Sequence, residues 1–309
     1  MKRFLISILY VILFFCVFAA CWSIIFTKWE LYAYTIKKEH PYCRINFVTN
    51  YVQENPNLVI LGNSRAEDSY SDSILSARLH IKCINLGWSG YPFDYQYNVM
   101  WKTYLKNNSF PKYVILEIGP WAFLDYVNPI YIAELLPYIN RPEFQFYYEL
   151  CPELSWADKL SMTYKYRGKV KKICEAYEKT INNGKTTNNS SKKWNANYLG
   201  EPKKLEKDPN IISLLDTFIA ECKQHDVKLI CICSPIHIKD GASYFDMKSF
   251  WEIIYQHTDD KGIYVLNYQN EYGNDTTKFA NPMHLNKEGK FSFSKKVAHD
   301  LDSLGIIFH

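Results

Sequence analysis

The sequence predicts an α/β fold of three layers, helices on both faces of a mainly parallel sheet, preceded by one N-terminal transmembrane helix. Three observations carry this. Short runs of β-favouring residues read as continuously apolar rather than alternating, as strands covered on both faces do. Segments with helical periodicity fall between them, which is the pattern of a parallel sheet with crossover helices. The run from Phe4 to Phe26 contains no charged residue.

As a helix, Phe4 to Phe26 is about 34 Å long, enough to cross a hydrocarbon core of about 30 Å. Lys2 and Arg3 precede it and Lys28 follows. A cleaved signal is the other reading, since Phe18-Ala19-Ala20-Cys21 loosely resembles a lipoprotein processing site. The apolar run, however, continues through Trp22, Ile24, Ile25 and Phe26, where a mature lipoprotein turns polar. Residues 1–29 therefore read as an anchor and 30–55 as a polar, aromatic connector. Positive charges on the two sides nearly balance. A short cationic tail is hard to translocate whereas long domains cross regardless of charge, so the body is expected outside the cytoplasm, periplasmic or at the cell surface.

The main domain, 56–309, opens with a strand at Leu58 to Leu61 that stops at Gly62, followed by a polar, turn-rich stretch, Ala66 to Ser73. Ile81 to Asn85 is a second strand, and a helix from about Asp94 to Leu105 follows. The third strand is Tyr113 to Ile118, closed by Gly119-Pro120. Residues 121–202 break the regular alternation with aromatic-rich segments and a polar tract, Asn182 to Lys193. This reads either as a substrate-shaping insertion over the sheet edge or as a surface loop. Asp208-Pro209 caps and opens a helix whose Ile211, Ile212, Leu215, Phe218, Ile219 and Cys222 share a face. Val227 to Cys233 is the fourth strand and Ile263 to Leu266 the fifth. A last helix carries Phe293, Val297, Leu301 and Leu304 before Gly305.

With 309 residues and 48% apolar content the chain can bury a sizeable core. Its 36 basic against 32 acidic residues provide no basic stripe, which sets nucleic acid aside. Nine cysteines lack the even spacing of a disulfide framework. Cys231 and Cys233 fall on one face of a strand without partner ligands nearby, a pattern for core packing rather than zinc, and no metal or cofactor is called for.

Chemistry concentrates in three blocks. Gly62-Asn63-Ser64-Arg65 places a hydroxyl on a tight turn beyond the carboxyl end of a buried strand, where open α/β sheets bind ligands. Asn85-Leu86-Gly87-Trp88-Ser89-Gly90 follows the second strand. Asn281-Pro282-Met283-His284 precedes the last helix. Together these resemble the GDSL/SGNH hydrolase superfamily, in particular its membrane-anchored members linked to cell-surface polysaccharides. The resemblance runs from Leu58 to the C-terminus and implies an SGNH/flavodoxin-like sheet. It implies Ser64 as nucleophile, His284 as base, and the backbone N–H groups of Ser64 and Gly90 as oxyanion donors.

Two positions depart from the family's pattern. Its third block supplies an asparagine to the oxyanion, and here Glu117-Ile118-Gly119-Pro120-Trp121 puts Trp121 at the matching position. Where the family has an aspartate three residues before the histidine, this chain has Asn281, whose amide can hold the imidazole tautomer but brings no charge. Asp275, in the same loop, is a candidate substitute carboxylate; a Ser-His dyad is the simpler reading. Arg65 has two readings, an anion-binding substrate contact or a structural ion pair. His237 and Trp121 are further candidates for substrate contact. The resemblance implies an extracytoplasmic esterase or O-acyltransferase acting on acyl groups of a surface glycan. The losses at the third block and at Asn281 keep open a non-catalytic glycan-binding or export-assembly component.

Overall fold

The computed structural model describes residues 2–35, 44–123, 194, 209–239, 246–258 and 262–307. Apart from residues 121–123 and Trp194, the 121–202 segment lies outside the described residues. The chain divides into two compact units, residues 1–47 with 129–186 and residues 48–128 with 187–309.

In the first unit, helix α1 (Lys2–Thr35) extends beyond the uncharged run. Its stretch Lys2–Ile25, with a mean hydropathy of 2.8, is long and apolar enough to cross a membrane and is not buried against other described residues. Within the 30–55 connector a short helix, α2 (Arg44–Asn50), forms where sequence reasoning gave none.

The second unit holds a five-stranded sheet in the order β2-β1-β3-β4-β5, every neighbouring pair parallel. The strands are β1 (Leu58–Leu61), β2 (Cys83–Asn85), β3 (Tyr113–Glu117), β4 (Lys228–Cys233) and β5 (Tyr264–Asn267). The predicted α/β fold with a mainly parallel sheet is thus the fold observed. Chain order reverses at β1: the crossover from β1 goes to one side and the strand after β2 returns to the other. That reversal opens a crevice beyond the carboxyl ends of β1 and β3.

Ala66 to Ser73 is not a turn-rich stretch. Residues from it form the end of α3 (Ser64–Ser69) and the start of α4 (Asp72–Leu79). Capping decides this: the Asn63 side chain accepts from Arg65 N, the Ser71 hydroxyl accepts from Ile74 N, and Leu75 and Leu79, four apart, face the core. A helical run over residues 93–107, called α5, contains a π-helical segment at Gln96–Trp101. Helix α6 (Pro209–Gln224) buries Ile211, Leu215, Phe218, Ile219 and Cys222. Helix α7 (Met247–Thr258), absent from the sequence reading, buries Phe250, Ile253 and Ile254 at helical spacing.

Helix α8 (Lys287–Ser303) packs on α3 and α4, and its Phe293, Val297 and Leu301 join Leu58, Ile60, Tyr113, Ile115, Ile230 and Ile232 in one cluster. Those six strand residues sit two apart along β1, β3 and β4, the period that lines one sheet face. Each of the three helix side chains contributes roughly 1.5–3 kcal/mol by leaving water. Leu304, expected on this face, is instead the exposed C-cap residue, at 60% exposure, because the helix ends there and Gly305 turns the chain left-handed. Cys231 and Cys233 are buried, in keeping with core packing.

Candidate active site

The site begins where β1 stops. Gly62 has a φ of +148°, and a Cβ placed on it would lie 2.6 Å from Glu117 Cβ and 2.8 Å from Ala66 Cβ. Only glycine fits so tight an exit. Asn63 then caps α3 through its side chain, so the residue is part of the turn, and Ser64 is the first helical residue. Its amide belongs to the first turn and has no acceptor within the helix.

The second block is tied to the same helix. The Asn85 amide donates to Ala66 O at 2.8 Å and Tyr70 O at 2.9 Å, while its oxygen accepts from Gly87 N. Ser89 N donates to Glu67 Oε2 at 3.0 Å, and Trp88 N donates to Gly62 O at 2.9 Å. A Cβ on Gly87 would meet Ala66 Cβ at 2.5 Å, so the block lies directly against α3. Gly90, exposed and with a φ of +84°, completes the turn.

From the far end of the sequence, a two-stranded antiparallel hairpin, β6 (Phe279–Asn281) and β7 (His284–Leu285), carries the imidazole. Gly289 allows this close approach, since a Cβ there would overlap Lys278 O at 2.1 Å. His284 is 8% exposed, and its Nε2 lies 2.7 Å from Ser64 Oγ across 220 residues of chain. On the other side of the ring, Nδ1 lies 2.9 Å from Asn281 Oδ1.

The amide of Asn281 is oriented by the backbone. The N–H groups of Met283 and His284 both reach the same Asn281 atom at 3.0 Å. Backbone N–H groups can only donate, so that atom is the oxygen. Nδ1 must then carry its proton, which leaves the Nε2 lone pair facing the Ser64 hydroxyl. The asparagine therefore sets the tautomer that a general base needs, without supplying a negative charge. Asp275 does not substitute: its carboxylate caps the turn at Thr276–Lys278, accepting from Thr277 N at 3.0 Å and Thr277 Oγ1 at 2.6 Å.

Arg65, read as either a substrate contact or an ion pair, is 1% exposed. Its Nε donates to Glu117 Oε1 at 3.0 Å and its Nη2 to Ser234 Oγ at 2.9 Å and to Ser234 O. The substrate role is thereby corrected, because the guanidinium points away from solvent and is held inside. Burial is the largest single influence and works against its charge, but the Glu117 carboxylate, together with Cys233 and Tyr70, prevails and raises its pKa above the usual value. Trp121 lies half-buried in a short helical turn, Pro120–Phe123, after β3. His237 is only 3% exposed; its ring packs at 4.6 Å from Trp194 and 5.6 Å from Phe279, and its backbone N–H donates to Pro282 O. It therefore packs against the hairpin that carries His284 rather than facing outward.

Sequence reasoning missed the layer beneath: Tyr70, Glu117 and Ser234. An acid at the carboxyl end of a buried apolar strand, as Glu117 is, was the available signal.

No family model and no curated protein matches the chain. Several solved structures resemble it. One is a family two carbohydrate esterase from Clostridium thermocellum in complex with cellohexaose, 10% identical, with a TM-score of 0.39 over 82% of this chain and 66% of that one. A second is a candidate acylhydrolase from Bacteroides fragilis, 10% identical, with a TM-score of 0.41 over 82% and 90%. A third is a mutant of an acetyl-xylooligosaccharide esterase from Geobacillus, 11% identical, with a TM-score of 0.36 over 84% and 97%. The chain spans just under two thirds of the Clostridium esterase's length.

Proposed function

We propose that this chain is a membrane-tethered, extracytoplasmic serine esterase or O-acyltransferase that acts on acyl groups of a cell-surface glycan. The observation that carries the chemistry is the 2.7 Å contact of Ser64 Oγ with His284 Nε2, with the imidazole tautomer set by Asn281. Ser64 attacks the ester carbonyl while His284 takes its proton. The backbone N–H groups of Ser64 and Gly90 receive the oxyanion. Collapse expels the sugar alkoxide, which His284 protonates, and leaves an acyl group on Ser64. Water completes hydrolysis; a second hydroxyl completes transfer. Half-buried Trp121 stands where the family places a side-chain oxyanion donor, and in this reading it serves as a substrate contact. Tethering is supported by the apolar helix alone and the glycan by the resemblance of the blocks.

A fluorophosphonate probe tests this directly. It is expected to label the wild type and spare Ser64→Ala; an unlabelled wild type sinks the reading. The neutral Asn281 favours one alternative, a non-catalytic glycan-binding or export-assembly component. Glycan binding that persists in Ser64→Ala, with no ester turnover in the wild type, would establish it.

A further inference from the structure

We infer that Glu117 is a positioning residue for Ser64: its two carboxylate oxygens hold opposite ends of the helix that carries the hydroxyl. The inference rests on the reading of Ser64 as nucleophile.

Helix α3 is short, Ser64–Ser69, and its orientation decides where the Ser64 hydroxyl points. Arg65, in its first turn, donates through Nε to Glu117 Oε1 at 3.0 Å. Tyr70, its C-cap residue, donates through its hydroxyl to Glu117 Oε2 at 2.6 Å. One carboxylate at the end of β3 thus grips both ends of the helix. Ser234, just past the end of β4, holds that carboxylate in turn: its N–H reaches Oε1 at 3.2 Å and its hydroxyl at 2.8 Å. The loop closes on Arg65, whose Nη2 meets Ser234 Oγ at 2.9 Å. Two glycines allow the close fit. A Cβ on Gly62 would strike Glu117 Cβ, and one on Gly119 would press to 3.3 Å of Arg65 Nε.

This arrangement is an expensive way to stabilise a fold. Arg65 and Glu117 are each 1% exposed, and the Arg65 Nη1 atom is buried without a partner among the described residues. Buried ion pairs often add no net stability over apolar packing. What a two-ended grip does supply is a fixed rotation of α3 about its own axis. Such rotation would swing Ser64 Oγ away from His284 Nε2, and the reaction is steep in that distance. All four groups are buried beneath Ser64, so their effect on rate passes through its orientation.

The experiment measures fluorophosphonate labelling rates, and kcat and KM on a model acetyl ester, for Tyr70→Phe and Glu117→Gln. Measurements are made well below each variant's Tm, so that only folded protein is compared. Misplacing the hydroxyl by a fraction of an ångström is expected to slow labelling about 3- to 10-fold in Tyr70→Phe and about 10- to 100-fold in Glu117→Gln, through kcat with KM within about twofold. In a His284→Ala background, where the contact no longer exists, Tyr70→Phe is expected to add no further loss. Wild-type rates in folded Tyr70→Phe and Glu117→Gln, with labelling still dependent on Ser64, overturn the positioning role and leave the nucleophile standing. Equal losses with and without His284 also overturn it. A wild type that is never labelled removes the nucleophile and this inference together. Should Glu117→Gln fail to fold, Tyr70→Phe, which removes one hydroxyl, decides alone.

Discussion

Asn281 Oδ1 accepts from three N–H groups at once: Nδ1 of His284 at 2.9 Å and the backbone amides of Met283 and His284 at 3.0 Å each. A carboxylate at this position would find the same three donors in place. It would add the negative charge that an imidazolium formed during the reaction lacks here. In a serine protease the reverse change, from Asp to Asn beside the catalytic histidine, costs about 10⁴ in turnover. Asn281→Asp is therefore expected to raise kcat on a model acetyl ester by about 10- to 10³-fold. Unchanged turnover would mean that charge at this position is irrelevant to the rate.

On the proposed mechanism, removing His284 gives the complementary result. With His284→Ala, nothing receives the Ser64 proton, and labelling is expected to slow by about 10²–10⁴-fold, the usual size of a general-base contribution. Thermal unfolding gives the control. His284 is a small buried group on a two-stranded hairpin, so a shift in Tm of only a few degrees should accompany the loss of rate.

Gly62→Ala tests the turn beneath the hydroxyl. The new methyl would have to occupy a backbone conformation with φ of +148° and overlap both Glu117 Cβ and Ala66 Cβ. Strain of this kind costs on the order of 1–3 kcal/mol from the backbone, and the overlap adds to it. A denaturant midpoint that falls clearly, with residual labelling slowed per folded molecule, is the expected outcome. A neutral substitution would show that the exit from β1 relaxes more easily than its packing implies.

The centre of the sheet was legible because its three inner strands are buried on both faces and read as largely apolar runs: Leu58–Leu61, Tyr113–Glu117 and Lys228–Cys233 lie within a residue or so of where composition put them. The Ser64 and His284 blocks were legible because glycine and asparagine flank them in an order that resembles a known superfamily. Helix α3 was not, because its stability comes from a cap and from bonds to Glu117 and Asn85 rather than from apolar periodicity. Nor could the fate of Arg65 be read locally. Its partners lie 52 and 169 positions away, and only the sheet order brings the ends of β1, β3 and β4 together.

Cys231 and Cys233 provide a test of the core. Burial pushes both thiols up to about 12, with Arg65 pulling partly in the other direction at Cys233. At neutral pH almost no thiolate forms, and reagent cannot reach the sulfur. Iodoacetamide is expected to leave both unmodified in the native protein and to modify both in denaturant. Rapid native modification would show that β4 is not the covered strand described above.

The link between α8 and the end of β5 should govern part of the acid stability. Asp300 accepts from the Tyr268 hydroxyl at 2.8 Å and pairs with Lys296 Nζ at 3.1 Å. Partial burial acts to raise its pKa, but the hydrogen bonds from Tyr268, Lys296 and His299 prevail and lower it from the ordinary 3.8. The folded state therefore releases this proton at lower pH than the unfolded chain does. Between the two pKa values the unfolded chain binds more protons, so stability rises with pH there. The contribution is complete above the ordinary carboxylate range and disappears as pH falls through the folded value. Asp300→Asn is expected to cost on the order of 1 kcal/mol at pH 7, less than a buried hydrogen bond to a charged group because solvent screens this partly exposed carboxylate. The same substitution should cost progressively less below pH of about 4, where the wild-type carboxylate is itself being neutralised. Denaturant titrations at several pH values read this as two stability curves that converge on the acid side. Parallel curves would show that the Asp300 charge makes no contribution to folding.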